Sequence, residues 1–217
     1  MIADERLVTF LGSLDQELDE GLRHLEQKAR EEAVPIIRKE TQSFLRWLLV
    51  TRQPTKILEV GTAIGFSALF MARYNPAVCR ITTIENYEKR IPKARANFAA
   101  AGMSDRITLL EGDAAELLPG LETEGYDFIF MDAAKGQYPL LWPQVKRILT
   151  DGGIVVTDNV LQEGDILESR FAVTRRNRTI HKRMREYLYT ITHDEDMACT
   201  ILPVGDGLAV CTKQTGA

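Results

Sequence analysis

Apolar residues recur at helical spacing through the first fifty positions. Leu7, Leu11, Leu14 and Leu18 fall three or four apart, and Leu22, Leu25 and Ala29 continue the series with charged residues between them. Pro35 interrupts this run. A second amphipathic stretch covers Ile36 to about Val50, and Gln53-Pro54-Thr55 closes it. From Lys56 the pattern changes. Short apolar runs at 57–60, 81–84, 107–110, 128–131 and 154–157 alternate with helical patterns at 67–74, 87–101, 114–121 and 138–149. Runs of Ile, Val and Leu without polar alternation belong to strands covered on both faces, and the helices between them supply the crossovers of a parallel sheet. A basic helix is predicted over 175–191, with Ile180, Met184, Leu188 and Ile191 as its apolar stripe. Two last strands, 198–204 and 208–212, are joined by Gly205-Asp206-Gly207, a link so short that the pair must be antiparallel. The prediction is an α/β doubly wound, mostly parallel sheet with a C-terminal antiparallel hairpin and N-terminal helices. No repeat or linker divides the 217 residues, so one domain is expected.

Composition narrows the classes. Hydrophobic residues at 45% and charged residues at 27% exclude a globally disordered chain. No apolar run approaches the roughly 20 residues of a membrane-spanning helix. Asp4, Glu5 and Arg6 stand where a secretory leader would carry basic and then apolar residues. No membrane partner and a cytoplasmic location are expected. Cys79, Cys199 and Cys211 fit no zinc spacing and cannot all pair, so reduced thiols are expected. The net charge of -4 excludes a protein that binds polyanions with its whole surface. It leaves room for a local patch: Arg170, Arg175, Arg176, Arg178, Lys182, Arg183 and Arg185 follow one another with no acid between. Such a segment is either a solvated helix face or a surface for phosphates. His181 and His193 lack metal-ligand spacing and are expected at the surface or at helix caps.

The chemistry-bearing residues fall at strand ends, where open α/β sheets bind their ligands. The first strand runs into Gly61-Thr62-Ala63-Ile64-Gly65, glycines that allow a tight turn and close approach to a ligand. Glu85 ends the second strand, where a carboxylate can accept two ribose hydroxyls. Gly112-Asp113-Ala114 ends the third, with Asp113 placed for an adenine amino group. Dinucleotide sites share a glycine turn and a strand-end acid, but pyrophosphate usually calls for G-x-G-x-x-G. The G-x-x-x-G here and its acidic surroundings suit S-adenosylmethionine, which carries a sulfonium and no phosphate. The fourth strand ends at Asp132 and the fifth at Asp158-Asn159, three oxygen donors suited to Mg²⁺ or another hard divalent cation. Taken singly, either acid equally caps a helix or satisfies loop amides. Lys135 lies close enough to Asp132 to take a proton or neutralise an oxyanion, though its spacing equally suits a surface lysine.

These segments carry a resemblance. Glu59 through Ser67, Asp132-Ala133-Ala134-Lys135 and Thr157-Asp158-Asn159-Val160 resemble the metal-dependent O-methyltransferases of the catechol and caffeoyl-CoA type, over nearly the whole chain. That implies a Rossmann-like class I methyltransferase fold. Val34-Pro35-Ile36, the run Asp132 to Tyr138 and Pro203 to Leu208 look more narrowly like the bacterial tRNA 5-hydroxyuridine methyltransferase family. That resemblance implies methylation of a wobble uridine hydroxyl with S-adenosylmethionine and Mg²⁺ by a homodimer. It implies Asp132, Asp158 and Asn159 as metal ligands, and Ile37, Gly61, Ser67, Glu85, Asp113, Ala114 and Asp132 as cofactor contacts. Asp132 and Lys135 would serve the chemistry. Arg175, Arg176, Arg178, Lys182 and Arg185 would meet tRNA. A small catechol is the alternative substrate.

Overall fold

Seven strands hydrogen-bond into one sheet in the computed structural model, which describes residues 4–169 and 171–216. Arg170, counted above in the basic segment, lies outside them. In chain order the strands are β1 (Lys56–Val60), β2 (Arg80–Glu85), β3 (Ile107–Glu111), β4 (Tyr126–Met131), β5 (Leu149–Thr157), β6 (Met197–Leu202) and β7 (Leu208–Lys213). Their spatial order is β3-β2-β1-β4-β5-β7-β6. The first five run parallel, and β7 pairs antiparallel with both β5 and β6. This is the mostly parallel sheet with a terminal hairpin that the pattern predicts.

The strands read as unbroken apolar runs because alternate residues enter different cores. Ile57, Ile81, Phe128, Phe130 and Val156 belong to one cluster with α3 (Lys39–Arg52) and α4 (Phe66–Arg73). Leu58, Val60, Ile129, Met131 and Val155 belong to the other, with α7 (Tyr138–Ile148) and α8 (Arg178–Thr192). Fully burying one such side chain contributes about 1.5–3 kcal/mol. The remaining crossovers are α5 (Ile91–Ala100) and α6 (Ala114–Leu117). The helix expected over 87–101 starts at Ile91, and Pro92 in its first turn suits that start. The helix expected over 114–121 tightens into a 3₁₀ turn at Leu118–Gly120, which contains Pro119.

The N-terminal periodicity conceals a break. Helix α1 (Glu5–Leu14) is capped by Asp4, whose carboxylate accepts the Arg6 amide at 2.8 Å. Helix α2 (Glu20–Glu31) restarts at Asp19, which accepts the Leu22 amide at 2.9 Å. The leucines of α2 enter the core, whereas α1 buries none of its residues.

Helix α8 differs from expectation in two ways. It begins at Arg178, so Arg175 and Arg176 stand in the turn before it. Its buried face is His181, Met184, Tyr187 and Ile191, while Ile180 is exposed and Leu188 is half-buried. Tyr187 turns the helix: its ring packs 5.5 Å from that of Tyr138, and its hydroxyl meets Thr157 Oγ1 at 2.7 Å. His181 is therefore a core residue at 3% exposure, against the surface position expected; its Nε2 lies 3.2 Å from the Glu168 carbonyl. His193 is exposed at the C-cap.

The expected set of three reduced thiols is also corrected. The register of β6 on β7 sets Cys199 directly opposite Cys211, and the two form a disulfide across the hairpin, leaving Cys79 as a buried free thiol. Among the described residues, no helix is long and apolar enough to cross a membrane.

Candidate active site

Strand order reverses between β1 and β4, and a cavity of ≈ 620 Å³ opens there at their carboxyl ends. Its wall includes Gly61, Ser67, Glu85, Asp132, Lys135, Asp158 and Asn159. Ile37, from the segment before α3, closes one side, and Gly112 and Ala114 close another. The sheet thus brings together all but one of the expected cofactor and metal residues. The exception is Asp113, whose Oδ1 accepts the Ala115 amide at 2.8 Å and caps α6. Its Oδ2 faces Gln137 Nε2 at 3.4 Å.

The loop from Gly61 to Gly65 is pressed against its surroundings. Gly61 sits at φ 105°, and a Cβ there would stand 2.1 Å from the Asp132 carbonyl oxygen. At Gly65 (φ 86°) a Cβ would meet the Phe98 ring at 2.4 Å. Glycine is required at both positions by backbone angle and by space. The loop also fixes Glu85: Oε2 accepts the Ala63 amide at 2.7 Å, while Oε1 accepts the amides of Asn86 (3.1 Å) and Tyr87 (2.9 Å). Three amide donors hold one carboxylate at the rim, with lone pairs remaining for hydroxyl donors.

Asp132 and Asp158 leave neighbouring strands side by side. Burial raises both carboxyls above the ordinary range, and at Asp158 repulsion from Asp132 adds to it. Asn159 takes a left-handed conformation (φ 58°), which asparagine tolerates. Its backbone amide donates to Asp158 Oδ1 at 2.6 Å. Among the described residues no three His, Cys, Asp or Glu side chains converge on one point. Mg²⁺ needs no such cage, since it commonly takes one or two carboxylates and keeps several waters. Two crowded, partly desolvated carboxylates and an amide therefore suit a hard cation, whose charge would relieve their repulsion. Lys135 turns its ammonium to Asp206 Oδ2 at 3.4 Å, and its charge still acts on both Asp132 and Asp158.

Several residues in or beneath the cavity escaped the sequence reading. Glu59 is fully buried beneath the loop; Oε2 accepts the Thr83 hydroxyl and Oε1 has no partner. A charge inside the strand Lys56-Ile57-Leu58-Glu59-Val60 was its signal, because a buried strand has no other use for one. Asp206 comes from the hairpin turn, where Gly-Asp-Gly reads first as a tight connection. Arg38 and Glu163 form an ion pair of 2.8 Å at the cavity wall, joining segments 125 residues apart. No local pattern announces that contact.

The basic segment divides. Arg175 and Arg176 are exposed. Arg178 donates to the carbonyls of Phe171 and Val173, Arg185 to that of Ile166, and Lys182 pairs with Glu186. Arg183, absent from the expected contacts, donates to the Gly136 carbonyl at 3.1 Å, one residue from Lys135.

The model of a family described as O-methyltransferase matches residues 12–214. The chain belongs to this O-methyltransferase family. The match takes in every site residue named above. A catechol O-methyltransferase of Niastella koreensis is 35% identical over 128 residues, which is 58% of this chain and 58% of that protein's length. A caffeoyl-CoA O-methyltransferase of Eucalyptus globulus is 30% identical over 179 residues, 78% of this chain and 71% of that one. Among solved structures, the O-methyltransferase TomG of Streptomyces achromogenes, in complex with S-adenosylmethionine, superposes with a TM-score of 0.83. It is 25% identical, and the superposition covers 96% of each chain.

Burial, joined by repulsion from Asp132 and Glu85, pushes the Glu59 carboxyl up from 4.5 to about 7. The folded state then binds the extra proton between those values, so stability falls as pH rises through that window. Glu59→Gln should lessen this fall and stabilise the ligand-free protein at pH 8 by roughly 1 kcal/mol or more, one pKa unit being worth about 1.4 kcal/mol. Urea midpoints at pH 5 and pH 8 measure it. An unchanged difference between the two pH values would mean that Glu59 does not titrate there.

Proposed function

We propose that the protein transfers the methyl group of S-adenosylmethionine to a hydroxyl oxygen that has a second oxygen beside it. The observation that carries this reading is the convergence of Glu85, Asp132 and Asp158 on one cavity at the reversal of strand order. Glu85, already oriented by three amides, takes the ribose hydroxyls, and Ile37 and Ala114 offer apolar walls for the base. The acids below and beside the loop favour a ligand that carries a sulfonium and an ammonium over one that carries pyrophosphate. Asp132, Asp158 and Asn159 would hold a divalent cation, which supplies Lewis-acid activation of the hydroxyl. Lys135, as an ammonium, neutralises the oxyanion left when the hydroxyl proton passes to solvent, while the sulfur–carbon bond breaks and the oxygen–carbon bond forms.

For the substrate we infer a 5-hydroxyuridine at the wobble position of tRNA, converted to 5-methoxyuridine. Its C5 hydroxyl lies beside the C4 carbonyl, as the two oxygens of a catechol lie beside each other, so one cation site serves both. What favours tRNA is the position of the basic segment: Arg183 rests on the turn that carries Lys135, and Arg175 and Arg176 stand exposed before the same helix. A small catechol is the second reading, favoured by the local engagement of Arg178, Lys182 and Arg185.

We infer a homodimer from the surface of α1. Phe10 (59% exposed) and Leu14 (67%) of α1 are left open, as are Trp47 (62%) and Val50 of α3, the helix on which α1 packs. Asp15 and Ser43, bonded at 2.6 Å, hold the two helices together. A contiguous apolar surface on a folded chain marks an interface.

Asp158→Ala should abolish methylation of catechol by a protein that still melts cooperatively, and a chelator should silence the wild type. Activity that survives both would rule out the cation. Replacing Arg175, Arg176 and Arg183 together by Gln should weaken tRNA binding and lower the slope of log affinity against log salt by about 2–3, at roughly 0.7–0.9 per phosphate contact. Catechol turnover should hardly change; equal loss on both substrates points to a folding defect, and no loss on tRNA returns the segment to a solvated face. Sedimentation should give a dimer for the wild type and a monomer for Phe10→Ser/Leu14→Ser. A dimer that persists in the double variant places the interface elsewhere.

A further inference from the structure

The turn between β6 and β7 carries a carboxylate to which methyl transfer, as set out above, gives no part. Asp206 is 2% exposed and lines the cavity. Its oxygens have separate partners: Oδ1 accepts the Glu163 amide, and Oδ2 accepts Lys135 Nζ at 3.4 Å. The turn itself cannot shift far. The Leu161 amide donates to the Asp206 carbonyl at 2.9 Å, and the Val160 amide to that of Gly207 at 3.1 Å. A Cβ on Gly205 (φ 59°) would meet Thr41 Oγ1 at 2.7 Å, and one on Gly207 (φ 86°) would meet Leu161 Cγ at 2.3 Å. The turn is thus wedged between α3 and the chain leaving β5.

Lys135 is the opposite case. It sits on a short 3₁₀ turn (Lys135–Gln137), its side chain is 33% exposed, and Asp206 is its one acidic partner among the described residues. A free lysine side chain loses up to roughly 2 kcal/mol of conformational entropy when held in one place. Nothing on its own turn fixes it. A third carboxylate near Asp132 and Asp158 also carries a cost, since its charge raises the Asp158 carboxyl further. A buried acid that costs stability at a rim of acids, and whose only cation is the lysine of that rim, is explained by what it does to the lysine.

We propose that Asp206 is a positioning residue, which holds the Lys135 ammonium in the field of Asp132 and Asp158 so that it meets the reacting oxygen. The proposal rests on reading the cavity as a methyl-transfer site, and one arm of its test does not. Asp206→Asn keeps an oxygen for the Glu163 amide and removes the charge that holds Lys135. Acetylation by an N-hydroxysuccinimide ester, followed by peptide mass spectrometry on the intact protein, should proceed several-fold faster at Lys135 in this variant, with the exposed Lys182 as internal control. An unchanged Lys135 rate overturns the proposal whatever the activity.

In the activity arm, kcat for catechol should fall at least tenfold, with the S-adenosylmethionine dissociation constant and the melting temperature unmoved. The same substitution in a Lys135→Gln background should have no further effect. Full kcat in Asp206→Asn, or an equal loss in both backgrounds, makes Asp206 a structural anchor of the Glu163 segment only. Should Asp206→Asn fail to fold, Asp206→Glu keeps the charge and displaces it by one methylene; kcat should then fall with Lys135 still protected from acetylation, and an unchanged kcat overturns the proposal. A wild type that binds S-adenosylmethionine and methylates neither catechol nor 5-hydroxyuridine tRNA refutes the functional reading, and the acetylation rates still decide the lysine contact.

Discussion

Met131 and Thr157 stand opposite each other at the last paired position of β4 and β5, so the next residues, Asp132 and Asp158, emerge from adjacent strands together. Neighbouring strands lie about 4.8 Å apart. Two unit charges held about 4.8 Å apart would repel by about 3 kcal/mol at an effective dielectric of 20. Free acids in water would separate; these cannot, because the ladder behind them is built from side chains that are themselves fully buried, Phe130 and Val156 among them. The rest of the site follows from that enforced proximity. Burial and mutual repulsion raise the proton affinity of the pair, and its charge sets the ionic surroundings of Lys135.

The backbone around the cavity is equally constrained. Left-handed residues gather there: Gly61, Ala63 and Gly65 after β1, Asn159 after β5, then Gln162, Glu163 and Gly164. For a residue with a side chain such a conformation costs on the order of 1–3 kcal/mol, and it persists only where the surroundings over-determine it. Here the surroundings do so by hydrogen bonds. Ala63 donates to Glu85, Asn159 to Asp158 and Glu163 to Asp206. Ala63, Asn159 and Glu163 each hand an amide to a cavity acid, so at these three the strain and the charge arrangement hold one another in place.

Much of this was legible in the sequence, for a physical reason. A strand covered on both faces must be apolar along its length, so an acid where the run stops is conspicuous, as at Glu85, Asp132 and Asp158. What stayed hidden depends on partners distant in sequence. Leucine spacing runs through α1 into α2 without a visible seam, because nothing local tells an exposed leucine from a buried one. The stripe of α8 was misplaced by reading aliphatic residues alone, when Tyr187 and His181 take the core positions. Asp113 also caps a helix, a role that its place before Ala114 allowed and that the strand-end pattern alone did not announce. Asp206 is the clearest case. Gly-Asp-Gly announces a turn, and only the antiparallel pairing of β7 with β5 carries that turn to the end of β4.

The position of the hairpin has a consequence for synthesis. A ribosome makes the glycine loop, Glu85, Asp132 and Asp158 before any residue of β6, β7 or the turn between them. The parallel strands and their crossover helices therefore exist as chain while the hairpin is still to be made. Until β7 docks antiparallel against β5, Lys135 lacks its buried partner and the segment after β5 lacks the acceptor for Glu163. The acids can be assembled early, and Lys135 meets Asp206 only when the hairpin closes.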